Sequence, residues 1–521
     1  MSSLMPNSRS SVAAAPVLRT LCATVLIALQ VLSPVPARAQ LLPGMGDGGE
    51  MTASAERQLG DRIARELYRD TDYIDDPVLV EYVDDVWQKL MAAARVRGDL
   101  TPELDERFAW TVLLGRDRNI NAFALPGGYL GINLGLVGVI GSRDELATVL
   151  GHELSHVTQR HIARMLGKQS RDMPLMIAAM VLGALAAAKS KNGDVGQAMV
   201  MGSHALAVQN QLNFSRDMER EADRVGFGVM TQAGFAPAGA AAMFEKLQYA
   251  ARLNDNGSYP YLRSHPLNSE RIADMQGRFQ LRPGVQAVMP LAMDHAMISA
   301  RARVLSRPGV DVLRLWVTAA GSGEFAKAGP AQQAGMLYAA ALAATELRDV
   351  TAARALVARL RERTAGDAAA ARLARLLAAE TELAAGQPGR AAAVLDARAR
   401  DRPEMMLLAQ TAVSLRAPAP MAAPLRDWLA GHPRDASAWR MLGQIYHAQN
   451  EPLRAIRAEA EANVAILDYA GARDRFKAAQ DLMRQPGTAT VDHYEASIID
   501  TRAREVERLA REQFAEDKKP M

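Results

Sequence analysis

Leu150-Gly151-His152-Glu153-Leu154-Ser155-His156-Val157 is a stretch that predicts a metal site carried by a single helix. Residues four apart on an α-helix lie on the same face, so His152 and His156 can direct imidazole nitrogens at one ion. Glu153 lies beside the first histidine, where its carboxylate can reach a water molecule bound to that ion. This H-E-x-x-H spacing is typical of two zinc ligands and a general base.

The residues around this motif support a buried helix. Leu146, Val149 and Val157 are apolar and surround the two histidines. Unpartnered imidazoles would be costly on a buried helix, so a metal site is favoured over a surface helix that merely carries histidines. Upstream, Ser142-Arg143-Asp144-Glu145 predicts a capping box at which the helix begins.

Composition limits the chemistry. The chain has 521 residues, a formal charge of +3 and one cysteine. The length predicts two or three domains, and the scattered charge gives no indication of a nucleic-acid partner. Because Cys22 lies in the predicted targeting segment, the mature chain would have no thiol nucleophile and no thiolate ligand. A bound metal would therefore depend on histidines and carboxylates.

The first residues resemble an export signal. Arg9 and Arg19 precede an apolar run over residues 21–32, which is too short to span a bilayer, and Ala37-Arg38-Ala39 follows. This order predicts a cleavable signal peptide over residues 1–39 and a location in the periplasm. A membrane anchor is the alternative.

The predicted fold is mainly α, with an α+β domain that contains a small sheet and the H-E-x-x-H helix, followed by an α-helical solenoid. Residues 40–52 are glycine-rich and predict a flexible segment, and residues 53–285 predict the zinc metallopeptidase domain. Within that domain, residues 173–208 predict an apolar helical hairpin, with a membrane-dipping hairpin as the alternative. Residues 286–325 predict a connecting segment, and residues 326–515 a helical repeat domain.

Local patterns predict the elements before the metal helix. Helices are expected over residues 53–68 and 77–93, and strands over residues 108–114, 122–125 and 129–134, with a turn at Pro126-Gly127-Gly128.

The C-terminal region resembles tetratricopeptide repeats. Trp439, Leu442, Gly443 and Tyr446 fit W-x2-L-G-x2-Y, and Ala455 falls where such a repeat has a small residue. Turn signals recur at irregular spacing, at residues 348–349, 386–388, 418–420 and 450–452. We therefore predict degenerate helical hairpins, with a plain helical bundle as the alternative.

A catalytic zinc site takes a third protein ligand. His161 follows His156 too closely, and the glycine of the longer H-E-x-x-H-x-x-G-x-x-H motif is missing. Further along, Glu219 and Asp223 are four residues apart and share a helix face, which is the pattern of a Glu-ligated zinc site. Glu221 is the alternative, although it would point elsewhere on that helix.

Three stretches together resemble the HtpX-type gluzincin metallopeptidases, the group that includes the CAAX prenyl proteases. They are the HELSH motif at residues 152–156, NAFALPGG at residues 121–128 and SRDMEREAD at residues 215–223. The resemblance covers residues 53–285 and is weaker over the repeats. It implies one Zn²⁺ per chain, with His152, His156 and Glu219 as ligands and Glu153 as the general base.

The resemblance also implies roles around the zinc. Asp223 would orient a ligand histidine and fix its tautomer. Asn121, Ala122 and Phe123 would form an edge strand that binds an extended substrate through main-chain hydrogen bonds, rather than an ordinary core strand.

Two further residues have open alternatives. His265, in Ser264-His265-Pro266, would occupy the fourth zinc position and hold the enzyme latent; an exposed loop histidine or an oxyanion stabiliser are the alternatives. Arg216 is a second candidate oxyanion stabiliser, and an ion pair with a nearby carboxylate is its alternative.

The function implied is that of a periplasmic zinc endopeptidase, with chaperone-like activity, in the quality control and assembly of outer-membrane β-barrel proteins. The repeats would bind misfolded or stalled outer-membrane proteins and the β-barrel assembly machinery, and a peripheral membrane contact is compatible with this function. Two alternatives are a chaperone-like adaptor whose protease domain is largely latent, and a membrane-associated protease.

Overall fold

A computed structural model describes residues 51–167, 216–252, 260–280, 291–485 and 492–518. The predicted signal peptide, most of the glycine-rich segment and the predicted hairpin over residues 173–208 lie outside the described residues.

The N-terminal part combines helices with one small sheet. Its helices are α1 (Ala53–Arg69), α2 (Pro77–Arg97), α3 (Pro102–Arg107), α4 (Leu134–Val139), α5 (Arg143–Thr158), α6 (His161–Gly167), α7 (Arg216–Gln232), α8 (Pro237–Arg252), α9 (Tyr261–Ser264) and α10 (Ser269–Gln280). Its strands are β1 (Tyr73–Ile74), β2 (Thr111–Gly115), β3 (Ala122–Leu125) and β4 (Tyr129–Asn133). Side chains of Thr52, Asp76 and Thr101 cap the first three helices, as polar residues at helix starts commonly do.

The strands are ordered β1-β2-β4-β3. β2 and β4 are parallel, whereas β3 runs antiparallel to β4, with Ala122 opposite Ile132. Among the described strands, β3 therefore lies at the edge of the sheet. A tight turn joins β3 to β4, and Gly127 has a φ of 71° there; a side chain at this position would also collide with the backbone of Arg57 in α1.

The metal helix α5 begins where the sequence predicted. The Ser142 hydroxyl accepts a hydrogen bond from the Glu145 amide at 3.1 Å. The reciprocal half of the predicted capping box is wrong, because the Glu145 carboxylate accepts from the Gly141 amide and pairs with Lys246. The ion pair with Lys246 therefore directs the Glu145 carboxylate away from the Ser142 amide.

Helices α5 and α7 cross at two glycines. A Cβ atom on Gly226 would lie 2.8 Å from the Gly151 carbonyl and 2.9 Å from the His152 amide nitrogen. Only glycine allows backbones to approach so closely. This contact brings the first turns of α7 to the two histidines of α5.

The C-terminal part is helical throughout its described elements. They are α11 (Met293–Leu305), α12 (Val310–Ala319), α13 (Gly323–Lys327), α14 (Pro330–Glu346), α15 (Val350–Thr364), α16 (Ala368–Ala384), α17 (Pro388–Val394), α18 (Arg402–Ser414), α19 (Ala422–Gly431), α20 (Ala436–Ala448), α21 (Pro452–Ala465), α22 (Tyr469–Met483) and α23 (His493–Asp517). Helices α11, α12 and α13 fall within or beside the predicted connecting segment.

The predicted turns separate these helices. Arg348, Gly386 and Asn450 adopt left-handed backbone conformations between consecutive helices. In the hairpin of α20 and α21, Leu442 and Tyr446 are buried, and Gly443 lies against Ala455. The mainly α fold class is confirmed; the tetratricopeptide assignment and the domain boundaries stay predictions.

Three arginines join the C-terminal helices to the start of α2. Arg301 of α11 binds both oxygens of Asp76, at 2.7 and 2.6 Å, and also binds Glu380. Arg372 of α16 bridges Glu81 and Glu404. A third arginine, on α18, bridges two aspartates in the same way, namely Arg402 with Asp75 and Asp435. We call these three bridges the arginine seam.

None of the helices in the described part of the chain is both long enough and apolar enough to cross a membrane.

Candidate metal centre

Four side chains converge between α5, α7 and the loop after α9. His152, His156, Glu219 and His265 are buried, and one ligand-type atom of each lies within 4.8 Å of the other three. The histidines of α5 are one helical turn apart, and the glycine crossing brings Glu219 to them. The residues predicted as ligands therefore meet in space.

The spacing of these atoms matches a tetrahedral ion. Nε2 of His152 lies 3.0 Å from Nε2 of His156 and 3.3 Å from Nδ1 of His265. Oxygens of Glu219 lie 3.0 to 3.4 Å from these three nitrogens. Zinc–ligand bonds of 2.0–2.1 Å give a tetrahedron with edges of about 3.3–3.4 Å. The observed distances of 3.0–3.4 Å approach these edges, so the donor set fits Zn²⁺.

Glu153 is buried beside this cluster with neither carboxylate oxygen hydrogen-bonded. One of these oxygens lies 3.4 Å from Nε2 of His265. A buried carboxylate without hydrogen bonds is energetically costly, and such groups concentrate at functional sites. The position suits a general base.

Asp223 and Arg271 support the ligands from behind. Nδ1 of His152 lies 2.9 Å from Asp223, which agrees with the predicted orienting role. Arg271 donates to both oxygens of Asp223, at 2.7 and 2.8 Å, and its Nη1 lies 2.8 Å from Glu219. Nη1 also donates to the Pro266 carbonyl, so one cation holds a ligand, its support and the His265 loop.

The loop that carries His265 is fixed by its neighbours. The Tyr261 amide donates to the Ile120 carbonyl at 3.3 Å, and the Tyr261 ring lies 4.7 Å from the His265 ring, centre to centre. His265 is 2 % exposed, so the alternative of a solvent-exposed loop histidine is wrong. His265 is therefore one of the four clustered side chains, and its role as a fourth zinc ligand stays a prediction.

Glu221 does not join the cluster. Its carboxylate lies 3.1 Å from Nε2 of His161 and 2.9 Å from Arg164. His161 in turn places its Nδ1 2.8 Å from Nδ1 of His156. The helix-face argument that preferred Glu219 to Glu221 agrees with this geometry.

The surroundings shift the pKa values of the cluster in opposite directions. Burial lowers the pKa of His152, but hydrogen bonds to Asp223 and Glu219 raise it to a net value of about 10. Burial dominates for His156, whose pKa falls well below 6.5. Burial raises the pKa of Glu219, but the charge of His265 and bonds from the two α5 histidines hold it well below 4.5.

The remaining predicted residues lie around the cluster. Asn121 precedes β3, and its carbonyl accepts from the Asn133 amide, while Ala122 and Phe123 pair with β4. Ala122 and Phe123 thus lie on the edge strand of the described sheet, and the substrate-binding edge strand stays a prediction. Arg216 is exposed at the start of α7. Its predicted oxyanion role is untested.

Sequence reasoning missed two supports of the cluster. Arg271 lies 48 residues from Asp223 in the sequence. Only the expectation that Glu219 and Asp223 are both buried could have indicated a nearby cation. His161 was considered only as a ligand, because its contact with His156 depends on a turn at Arg160 that has no sequence signal.

Comparison with known families agrees with this site. Residues 81–279 match Peptidase family M48. The chain therefore contains an M48 metallopeptidase domain, and the H-E-x-x-H helix, Glu219 and His265 all lie within it. The resemblance inferred from the three sequence stretches is confirmed at this level.

Several curated relatives are named for β-barrel assembly. The putative beta-barrel assembly-enhancing protease of Vibrio cholerae is 37% identical over 299 residues, which are 55% of this chain and 57% of that protein. The beta-barrel assembly-enhancing protease of Escherichia coli (strain K12) is 31% identical over 342 residues, 64% of this chain and 66% of the relative. That of Yersinia pestis is 28% identical over 458 residues, 84% of this chain and 89% of the relative. The match thus spans less than two thirds of the first two proteins.

Proposed function

We propose that this protein is a zinc-dependent endopeptidase that hydrolyses peptide bonds with water as the nucleophile. The observation that carries the proposal is the close spacing of His152, His156, Glu219 and His265 beside the buried Glu153, whose carboxylate oxygens accept no hydrogen bond. Ligand chemistry selects zinc, because Mg²⁺ and Ca²⁺ prefer all-oxygen sites, whereas imidazole and carboxylate suit zinc.

His152, His156 and Glu219 would hold the ion, and Glu153 would handle the protons. When bound, zinc polarises a water molecule and the scissile carbonyl. The Glu153 carboxylate accepts a proton from the water and then delivers one to the leaving amine. Asp223 keeps the Nδ1 proton of His152 in place, so that Nε2 stays free to bind.

The edge strand supplies a place for the substrate. β3 is paired only on its β4 side among the described strands, and it packs near α5. An extended peptide could continue the sheet through main-chain hydrogen bonds, which depend little on side-chain identity. This would allow cleavage of many sequences.

His265 would keep the enzyme latent. Its Nδ1 lies where a tetrahedral ion would otherwise bind water, and its Nε2 faces the general base. Release of the loop would open the fourth ligand position to water. Opening has to break the Tyr261–Ile120 hydrogen bond or the Arg271–Pro266 bond, both of which hold the loop.

The location and substrates are further parts of the proposal. The predicted signal peptide supports a periplasmic protease, and the curated relatives named beta-barrel assembly-enhancing protease support a role in the assembly of β-barrel proteins, which we place in the outer membrane. The C-terminal helices would bind misfolded or stalled clients and the β-barrel assembly machinery. A peripheral membrane contact is compatible with this role.

Exchange of the general base tests the enzymatic proposal. Glu153→Gln should retain zinc but lower cleavage of an unfolded outer-membrane β-barrel protein by about 10²–10⁴-fold. Glu145→Gln is the matched control, because Glu145 is a buried carboxylate on the same helix whose partner is Lys246. Unchanged cleavage by Glu153→Gln would contradict the assignment.

The latent geometry favours a second activity, that of a chaperone-like adaptor. A site closed by His265 would leave the C-terminal helices able to bind unfolded clients without cutting them. The Glu153→Gln variant should then still suppress aggregation of an unfolded β-barrel protein. For the alternative of a membrane-associated protease, osmotic shock provides the test, because the periplasmic proposal expects release without detergent.

A further inference from the structure

His161 lies against the rear of a metal ligand because the chain turns sharply after α5. On an uninterrupted helix, a residue five positions after His156 would point about 140° away from it. The structure ends α5 at Thr158 and starts α6 at His161, and Arg160 between them has a φ of 52°. Because Arg160 adopts a left-handed conformation, the chain reverses direction there, and the imidazoles of His156 and His161 come into contact.

The contacts form a chain that leads away from the ligand cluster. Nδ1 of His156 lies 2.8 Å from Nδ1 of His161, and Nε2 of His161 lies 3.1 Å from the Glu221 carboxylate. Arg164 binds the same carboxylate oxygen at 2.9 Å. Both histidines are fully buried, whereas Glu221 and Arg164 reach towards the surface.

Metal binding allows one arrangement of protons along the hydrogen bonds from His156 through His161 to Glu221. His156 faces the cluster with Nε2, which must be unprotonated to bind, so its proton lies on Nδ1. That Nδ1–H can only donate to Nδ1 of His161 if the latter is unprotonated. The His161 proton then lies on Nε2, from which it donates to Glu221.

We propose that His161 and Glu221 form a two-residue relay that fixes the tautomer and ring orientation of His156 for zinc. The relay does for His156 what Asp223 does directly for His152. His161 and Glu221 are positioning residues, since neither would touch the ion or the substrate. This inference rests on the proposed zinc site and extends it to the outer face of the second ligand.

Zinc affinity separates this role from mere packing. His161→Phe keeps a buried ring but removes both nitrogens, and should raise the zinc dissociation constant about 10–100-fold, as the loss of such partners does elsewhere. His161→Gln, which can again accept and donate, should recover part of that loss. The matched control is Ser155→Ala, because the Ser155 hydroxyl is buried on α5 but donates only to the Gly151 carbonyl.

The experiment is competition of the purified full-length protein with a chromogenic zinc chelator, together with the thermal midpoint of the metal-free form. If His161→Phe does not fold, Glu221→Ala makes the same test at a more exposed position and should weaken zinc about tenfold. A tautomer readout accompanies it: in zinc-loaded wild-type protein, ¹⁵N NMR should show His156 protonated at Nδ1.

The outcomes are distinguishable. Wild-type protein that binds zinc tightly while His161→Phe and Glu221→Ala bind it equally well would overturn the relay and leave the proposed function intact. A lowered thermal midpoint without a change in zinc affinity would also overturn it, because that is the signature of packing alone. Wild-type protein that does not bind zinc would overturn the proposed function and the relay together.

Discussion

The metal centre and the arginine seam are both clusters of buried charge, but they differ in how the charges are paired. In the seam, Arg301 satisfies both oxygens of Asp76 and also binds Glu380 and the Tyr338 hydroxyl. In the metal centre, neither oxygen of Glu153 has a hydrogen bond, although the side chain is completely buried.

This difference distinguishes structural from functional burial. Charges that are buried and bidentately paired fix the relative position of helices, as the seam does for the start of α2. A buried carboxylate without a hydrogen bond lowers stability and holds no helix in place, so such a group indicates chemistry. Arg271 shows both properties, because it pairs fully with Asp223 while it supports a ligand.

The largest expected effect comes from removing a cation of the seam. Arg301→Met would leave Asp76 and Glu380 buried without their partner, and should lower the free energy of unfolding by about 3–5 kcal/mol. Arg508→Met is the control, since Arg508 and Glu512 form an exposed pair on α23. Denaturant titration measures both variants. An unchanged midpoint in Arg301→Met would break the comparison.

The second-largest expected effect comes from removing a zinc ligand. Zinc binding on the order of 10–16 kcal/mol, shared among four ligands, makes one ligand worth about 3 kcal/mol. Glu219→Ala should therefore weaken zinc by at least about 100-fold. Glu221→Gln, two residues along the same helix, keeps an acceptor for His161 and should change affinity much less. Equal losses in the two variants would contradict the assignment of Glu219.

A third effect is a dependence of zinc binding on pH. With a pKa of about 10, His152 carries a proton at neutral pH in the metal-free chain, and zinc must displace it. His156 and Glu219 are already deprotonated there, because their pKa values are well below their usual range. Apparent affinity should rise about tenfold per pH unit between pH 6 and 8, with about one proton released in calorimetry. Affinity independent of pH would contradict this account.

The smallest expected effect comes from removing the His265 side chain. His265→Ala should raise cleavage of an unfolded protein several-fold and weaken zinc, because the fourth position opens to water. Ser264→Ala is the neighbouring control, since its buried hydroxyl donates only to the Tyr261 carbonyl. Zinc-loaded His265→Ala with unchanged or reduced cleavage would show that His265 is not a lock.

Local patterns predicted the parts of the site that depend on helix periodicity. The four-residue spacing of His152 and His156, the Ser142 cap and the preference for Glu219 over Glu221 all follow from one helix face. The turn between β3 and β4 was also predictable, because consecutive glycines have few other uses beside an apolar strand.

Long-range partners were not predictable. Arg301 lies 225 residues from Asp76, and Arg402 lies 327 residues from Asp75, so nothing in the sequence selects these arginines among the others. The Glu145 side chain was misassigned because Lys246, 101 residues away, attracts it. His161 reaches His156 only through the left-handed Arg160, a conformation that no local pattern indicates at a non-glycine residue.

Anomalous diffraction at the zinc edge, from crystals of the zinc-loaded protein, tests the central claim most directly. The account predicts one peak per chain, about 2.0–2.2 Å from Nε2 of His152, Nε2 of His156 and the Glu219 carboxylate. A peak coordinated by Glu221 in place of Glu219, or no peak between α5 and α7, would contradict it.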